Sequence, residues 1–441
     1  MMTSTSGREC PYLVITGSPG NPGVIPSSYA ETQPARKEWR RWEARNFTDF
    51  SFFTPKTMVE RNKKALLDLL NKDGNSECAD CGCGDPDWAS ANIGIFICID
   101  CAGIHRMLGA HISKVKSLRL DSWSDDQVEF MTSTGNLAAK AKYEIHVPPF
   151  YHRPMAKDPQ VLREQWIRAK YERMEFQYLE RQTYLSGYKE GFLWKRGKEN
   201  STFQQRRFIL AEEDDILKYY QKADAKEPKA AIKISELNAN FTPEKIGNPN
   251  GLQISWVKDG STRNIYVYTE DGKDIVDWYT SVRAAKYNRL KVAYPGGNDA
   301  DLVTRLTRTF VKEGWLYKTG PRHNEPYKRR WFTLDDRRLM YFEDPLDAYP
   351  KGEIFLGHKS DGYKALEGVP PGKQDVGNSF TIRTPGRDYL LGAETEEERV
   401  EWMDVLRKVF DRPISPQDST AAANLVHKRG NAPVLNSILG K

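Results

Sequence analysis

Four cysteines stand in two pairs, Cys78-x2-Cys81 and Cys98-x2-Cys101, with 16 residues between the pairs. Each CxxC can close a tight knuckle with both thiolates turned to one ion, so the set reads as a tetrahedral zinc site. Four sulfur ligands close the site and leave no place for a catalytic water, which makes the zinc structural, worth on the order of 10 kcal/mol or more to folding. Cys83 offers an alternative thiolate, but the two-residue spacing of the outer pairs makes it the spare. His105, four residues past Cys101, is expected on the helix leaving the second knuckle, turned away from the metal. Arg106 follows Cys101 by five residues, close enough for the knuckle to anchor its backbone while the side chain is held outward. A guanidinium placed so can fork onto two anionic oxygens at once.

A second chemistry lies in basic residues on alternating strands. Lys318 precedes the loop TGPRHNEPY, and Lys328 and Arg330 follow it two positions apart, so all three can share a face and converge on one polyanion. An earlier segment carries Lys195 and Arg207 in corresponding places, with Gln205 where a base is expected and Arg206 and Lys198 as substitutes.

The elements that must position these groups follow from pattern. The run MVERNKKALLDLLNK places Ala65, Leu66, Leu69 and Leu70 at helical spacing and opens a folded domain at Met58, while residues 1–57 read as a disordered extension. The stretch DPQVLREQWIRAKYERMEF predicts one long helix with Val161, Leu162, Trp166, Ile167 and Met174 on a face. From Gly187 the chain repeats itself: KEGFLWKRG, QRRFIL, LKYY and DIVDWYTSVRAA answer to KEGWLYKTG, KRRWFTL, LMYF and ERVEWMDVLRKV. Gly191 to Trp278 spans 87 positions and Gly314 to Trp402 spans 88. Each copy is strand-rich and ends in one amphipathic helix, and VAYPGGNDADLV reads as the linker.

Composition sets the bounds. The 441 residues, 39% hydrophobic, suit several domains of roughly 100–150 residues. Five of six cysteines crowd between Cys78 and Cys101, a pattern of metal rather than disulfides. No apolar run reaches about 18 residues and the start lacks signal-peptide order, so the chain is expected to be neither membrane-spanning nor secreted. With a net charge of only +6, attraction to phosphates must come from local patches.

The stretch CADCGCGDPDWASANIGIFICIDCAGIHRMLGAHISKVKSLRLDSW resembles the Arf GTPase-activating domain, through its C-x2-C-x16-C-x2-C-x4-R spacing and its DWAS, GIHR and KVKSLRLDSW segments. Each repeat resembles a pleckstrin-homology (PH) domain, and the order of the three resembles the centaurin-alpha family, Arf-GAP proteins with dual PH domains. The resemblance implies a multidomain α+β chain. A zinc-knuckle Arf-GAP domain at 58–180, mostly helical with a small sheet, precedes PH domains at 188–290 and 311–411, each a sandwich or partly open barrel capped by a C-terminal helix. Residues 291–310 would be linker and 412–441 a disordered tail.

It further implies an activator that stimulates GTP hydrolysis by a partner Arf GTPase rather than an enzyme itself, with Arg106 as the catalytic finger. Trp88 would pack the turn shaping the site, and Ile95 and Leu108 would touch the GTPase, though all three read equally as core. Lys195, Arg206, Arg207, Lys318, Lys328 and Arg330 would bind phosphatidylinositol trisphosphate and inositol tetrakisphosphate. The chain would then move from the cytoplasm to the plasma membrane surface, with the nucleus left open. Two other classes compete. A phosphoinositide-binding adaptor without activating function has no need of Arg106, and a nucleic-acid binder would want denser base and aromatic interleaving than residues 78–121 hold.

Overall fold

The structure, a computed structural model, describes residues 55–198, 201–320 and 325–415, with Asp418 and Ala422 besides. The expected disorder of residues 1–57 falls outside them, save that helix α1 (Pro55–Leu69) already begins at Pro55. That helix leads into the unit Arg61–Lys441, which holds all that follows.

Leu66 and Leu69 of α1 are buried with Phe96, Leu118, Trp123 and Met131. Beside them runs an antiparallel three-stranded sheet of order β2-β1-β3, built from β1 (Trp88–Ser90), β2 (Ile95–Ile97) and β3 (Val115–Ser117). Helix α2 (Ile99–Met107) leaves the second cysteine knuckle. The long helix read from DPQVLREQWIRAKYERMEF is shorter than expected. Helix α3 (Gln160–Ile167) gives way to a π-helical turn at Arg168–Glu172, and Met174 takes a left-handed backbone with φ of 54°. Its apolar face is also divided. Trp166 and Ile167 enter the core around the cysteines, whereas Val161 and Leu162 join the core of the first repeat.

Both repeats fold as seven antiparallel strands. The first has the order β7-β6-β5-β4-β10-β9-β8, where β4 is Tyr188–Arg196, β5 Phe203–Ala211, β6 Ile216–Tyr219, β7 Ala230–Lys233, β8 Asn238–Phe241, β9 Leu252–Lys258 and β10 Ser261–Tyr268. The second is β14-β13-β12-β11-β17-β16-β15, with β11 Lys312–Lys318, β12 Lys328–Asp335, β13 Arg338–Phe342, β14 Gly352–Phe355, β15 Lys364–Glu367, β16 Ser379–Arg383 and β17 Asp388–Gly392. A helix plugs each barrel, α4 (Gly272–Ala293) in the first and α5 (Glu396–Asp411) in the second. The repeated glycine and tryptophan meet: the indole of Trp278 lies over Gly191 and that of Trp402 over Gly314, where the missing Cβ leaves the strand open to a flat ring.

The three domains are packed together. The first half of α4 puts Ile275, Trp278 and Val282 into its barrel, and the second half puts Ala284 and Tyr287 into the zinc-domain core, where Arg283 donates to the Phe150 carbonyl at 2.7 Å. Leu302 and Leu306, expected in a linker, are buried in that same core. Lys245 of the first barrel and Glu313 of the second form a partly buried ion pair at 2.7 Å. The tail expected to be disordered from residue 412 starts ordered. Buried Arg337 donates to the carbonyls of Val409 and Pro413 and pairs with Asp418 at 3.1 Å, holding the chain's exit against the second barrel.

Candidate functional site

Cys78, Cys81, Cys98 and Cys101 are all buried, and their sulfur atoms lie within 4.8 Å of one another, with Cys81 Sγ and Cys98 Sγ 3.6 Å apart. Ligands at about 2.3 Å in tetrahedral array put sulfurs roughly 3.8 Å apart, so the donor set fits one zinc ion and not a disulfide. Cys83, half-buried, stands outside this set and gives its carbonyl to the Cys78 N–H at 2.7 Å.

The knuckle is tied to α2 by buried polar groups. His105 accepts or donates through Nδ1 to Ser113 Oγ at 2.8 Å and through Nε2 to Asp80 Oδ2 at 3.0 Å, so it is not directed at the cysteines. Asp80 also takes Lys170 at 3.0 Å, and Lys170 takes Glu144 at 3.0 Å. Burial alone would raise the Asp80 pKa, but Lys170 and His105 hold its carboxyl well below the usual range. The π-helical turn is what brings Lys170 and Tyr171 together onto Asp80, and such turns recur at functional sites.

Arg106 is exposed on the last turn of α2, between this buried histidine and solvent. Its guanidinium carbon stands 4.3 Å from the ring centre of half-buried Trp88, and among the described residues no carboxylate pairs with it. Trp88 thus lies under the guanidinium and also packs against the core around the cysteines, in keeping with the packing expected of it. Ile95 and Leu108 are corrected: at 0% and 4% exposure they belong to the core and offer no side-chain surface to a partner. Periodicity could not distinguish a buried three-residue strand from an exposed one. The exposed apolar groups on this helix are Ile99 and Met107. Ile99 is seven residues before Arg106 and so on the same helix face, a signal present in the sequence but passed over.

Each barrel gathers cations at one end. In the second, Lys318 pairs in register with Lys328 of β12, and Leu316 with Arg330, so Lys318, Lys328 and Arg330 share the face expected of them. In the first barrel the register overturns the expected equivalence. Lys195 pairs with Gln204 and Leu193 with Arg206, while Gly191 faces Phe208 as Gly314 faces Phe332. Arg206 is thus the counterpart of Arg330, Gln204 of Lys328, and Arg207 of Trp331. Equating Arg206-Arg207 with Arg329-Arg330 is one residue out, and a one-residue slip turns every side chain to the other face. Arg207 lies on the outer face, paired with Glu190 at 2.7 Å.

Two further pairs were missed. Tyr219 and Tyr341 lie under the lysines, with Lys195 Nζ 5.2 Å and Lys318 Nζ 4.8 Å from the ring centres. Because Val267 pairs with Lys195 and Leu391 with Lys318, Arg263 and Arg387 hold matched positions four residues earlier. Burial, then Arg263, Lys229 and Arg206, push the Lys195 pKa down to about 8. Burial, then Arg387 and Arg330, against an opposing Glu325, push Lys318 down to about 8 as well. Crowded cations with depressed lysines are groups that a polyanion would relieve.

Comparison with known proteins agrees with this architecture. Residues 63–180 match the family described as "ArfGap: Putative GTPase activating protein for Arf", and residues 187–287 and 310–410 each match the PH domain. The chain is 52% identical over 365 residues to "Arf-GAP with dual PH domain-containing protein 2" of Rattus norvegicus, covering 81% of this chain and 96% of that protein. The Homo sapiens protein of the same name is 51% identical over 372 residues, 82% of this chain and 97% of the relative. Over 115 residues, 26% of this chain and 34% of the relative, it is 50% identical to "Probable ADP-ribosylation factor GTPase-activating protein AGD13" of Arabidopsis thaliana.

Proposed function

The chain belongs to the family of Arf-GAP proteins with dual PH domains, and on that premise we propose that Arg106 completes the GTP site of an Arf-type GTPase while the two barrel mouths hold inositol phosphates. The chain is a GTPase-activating protein for Arf-family GTPases. The observation that carries the arginine's role is its presentation: an exposed guanidinium with no carboxylate partner among the described residues, on a helix end fixed by Cys101 and buried His105.

Hydrolysis builds charge on the oxygens between the β- and γ-phosphates. Arg106 would leave or slide along Trp88 and fork onto two of them, a contribution typically worth about 10³–10⁵ in rate. The ring contact, roughly 0.5–1 kcal/mol at an exposed site, keeps the side chain extended without binding it hard. Ile99 and Met107 on the same helix give the partner apolar contact. Zinc held by the four cysteines would fix the knuckle from which α2 starts, and metal analysis should find one zinc per chain.

At the barrels, Lys318, Lys328, Arg330 and Arg387 in the second and Lys195, Arg206 and Arg263 in the first would take the ring phosphates, phosphatidylinositol trisphosphate and inositol tetrakisphosphate being the ligands expected. Among the described residues no helix is long and apolar enough to cross a membrane, so this reading has the chain move from cytoplasm to plasma membrane by headgroup binding.

Single-turnover GTP hydrolysis on a panel of Arf proteins, with and without lipid vesicles, tests the central claim. Arg106→Lys should keep fold and zinc yet lose most of the stimulation, because an ammonium cannot fork. Retention of more than about a tenth of the activity would remove the arginine finger.

A further inference from the structure

The first barrel's mouth is bounded by a segment of the second. The connection between β13 and β14 crosses to β10, where the Asn264 N–H donates to the Ala348 carbonyl at 2.8 Å and the Tyr266 hydroxyl to the Pro345 carbonyl at 3.0 Å. Arg196 donates to the Leu346 carbonyl at 2.9 Å. These bonds fix Tyr349, whose hydroxyl accepts from Arg263 Nη1 at 3.1 Å and whose ring lies 5.7 Å from Lys198 Nζ.

Arg263 gives its other terminal nitrogen to Tyr219 at 3.4 Å, while its buried Nε has no hydrogen-bond partner among the described residues. Arg263 lines a small cavity with Lys195, Arg196 and Lys198, and no lining residue is acidic. A buried donor without an acceptor beside several cations suits an anion. The matched arginine of the second barrel, Arg387, rests instead on Tyr389 of its own domain, 4.0 Å from the ring centre.

We propose that Tyr349, carried by the second PH domain, is a positioning residue of the first domain's phosphate site, aiming Arg263 at the ligand and making that site the joint property of two domains. This rests on the reading that the barrel mouths take inositol phosphates. The shared chemistry is a ring bearing several phosphates, from a lipid headgroup or a free inositol phosphate.

The test uses the full chain with the second mouth silenced by Arg330→Ala. Binding is measured by calorimetry with soluble inositol tetrakisphosphate and by sedimentation with phosphatidylcholine vesicles containing phosphatidylinositol trisphosphate. Tyr349→Phe, which keeps the ring and removes the acceptor, should weaken first-site binding roughly three- to tenfold in both arms. In an Arg263→Ala chain the same change should cost nothing further, because the tyrosine acts through that arginine. In an Arg206→Ala chain, which reports the second mouth, Tyr349→Phe should leave affinity unchanged. An additive loss with Arg263→Ala, or a loss confined to vesicles, would overturn the positioning role while leaving the phosphate reading intact. Absence of any binding in the Arg330→Ala chain before Tyr349 is altered would overturn both.

Discussion

The two PH barrels share strand order, the glycine under a tryptophan, and a lysine standing over a tyrosine beside two arginines. They differ in their surroundings. The first is packed against the zinc domain on one side and the second barrel on another, and its plug helix runs 22 residues against 16 in the second. Its mouth has Gln204 where the second has Lys328. One topology therefore yields two different objects: the second barrel presents its own cations, and the first acts as the joint of the molecule with a mouth partly walled by its neighbour. What a fold can bind is decided by register and packing after the topology is set.

The comparison can be broken most forcefully at the second mouth. Arg330→Ala, read in an Arg206→Ala chain, should lower inositol tetrakisphosphate affinity about ten- to a hundredfold, the usual worth of a hydrogen bond to a charged group. A change under twofold would mean that this mouth is not the site. The opposite manipulation sharpens the contrast: Gln204→Lys should raise first-mouth affinity by about tenfold if the missing cation accounts for the difference. No gain by calorimetry would shift the cause to the interdomain wall.

Proton linkage offers a smaller effect common to both barrels. Lys195 and Lys318 titrate at about 8, below their ordinary value, and a phosphate ligand needs them charged. Affinity should fall severalfold as pH rises from 7 to 9, since a ligand phosphate with second pKa of about 6 stays ionised throughout. Stability should move the other way. Between the depressed folded value and the unfolded value the unfolded chain binds more protons, so thermal midpoints attributable to these lysines rise with pH above about 8. Parallel movement of affinity and stability would contradict the assignment. The smallest effect belongs to Arg207→Ala. Its side chain faces away from the mouth and pairs with Glu190, so headgroup affinity should change less than twofold, as for an exposed ion pair.

The legible features were those written locally. Two CxxC pairs announce their geometry because a knuckle needs only four consecutive residues, and Arg106 inherits its place from Cys101. The repeat showed itself through the Gly191–Trp278 and Gly314–Trp402 spacing, which proved to be a physical contact. Features set by long-range packing were hidden. Strand register depends on which residues pair across a loop, and the loops of the two barrels differ in length, so Arg207 was placed on the wrong face. The burial of Ile95 and Leu108 depends on helices distant in sequence. Tyr349 and Arg263 meet only because two domains do.

Helix α4 has a consequence for inheritance. One end of it fills the first barrel and the other, through Ala284 and Tyr287, fills the zinc-domain core. A recombination that exchanged the first PH module at its outer limits would take Ala284 and Tyr287, part of another domain's interior, with it. The zinc domain and its neighbour therefore share one interior, and because Leu302 and Leu306 also lie in that core, a boundary for exchanging the second barrel falls after Leu306, not at Ala293.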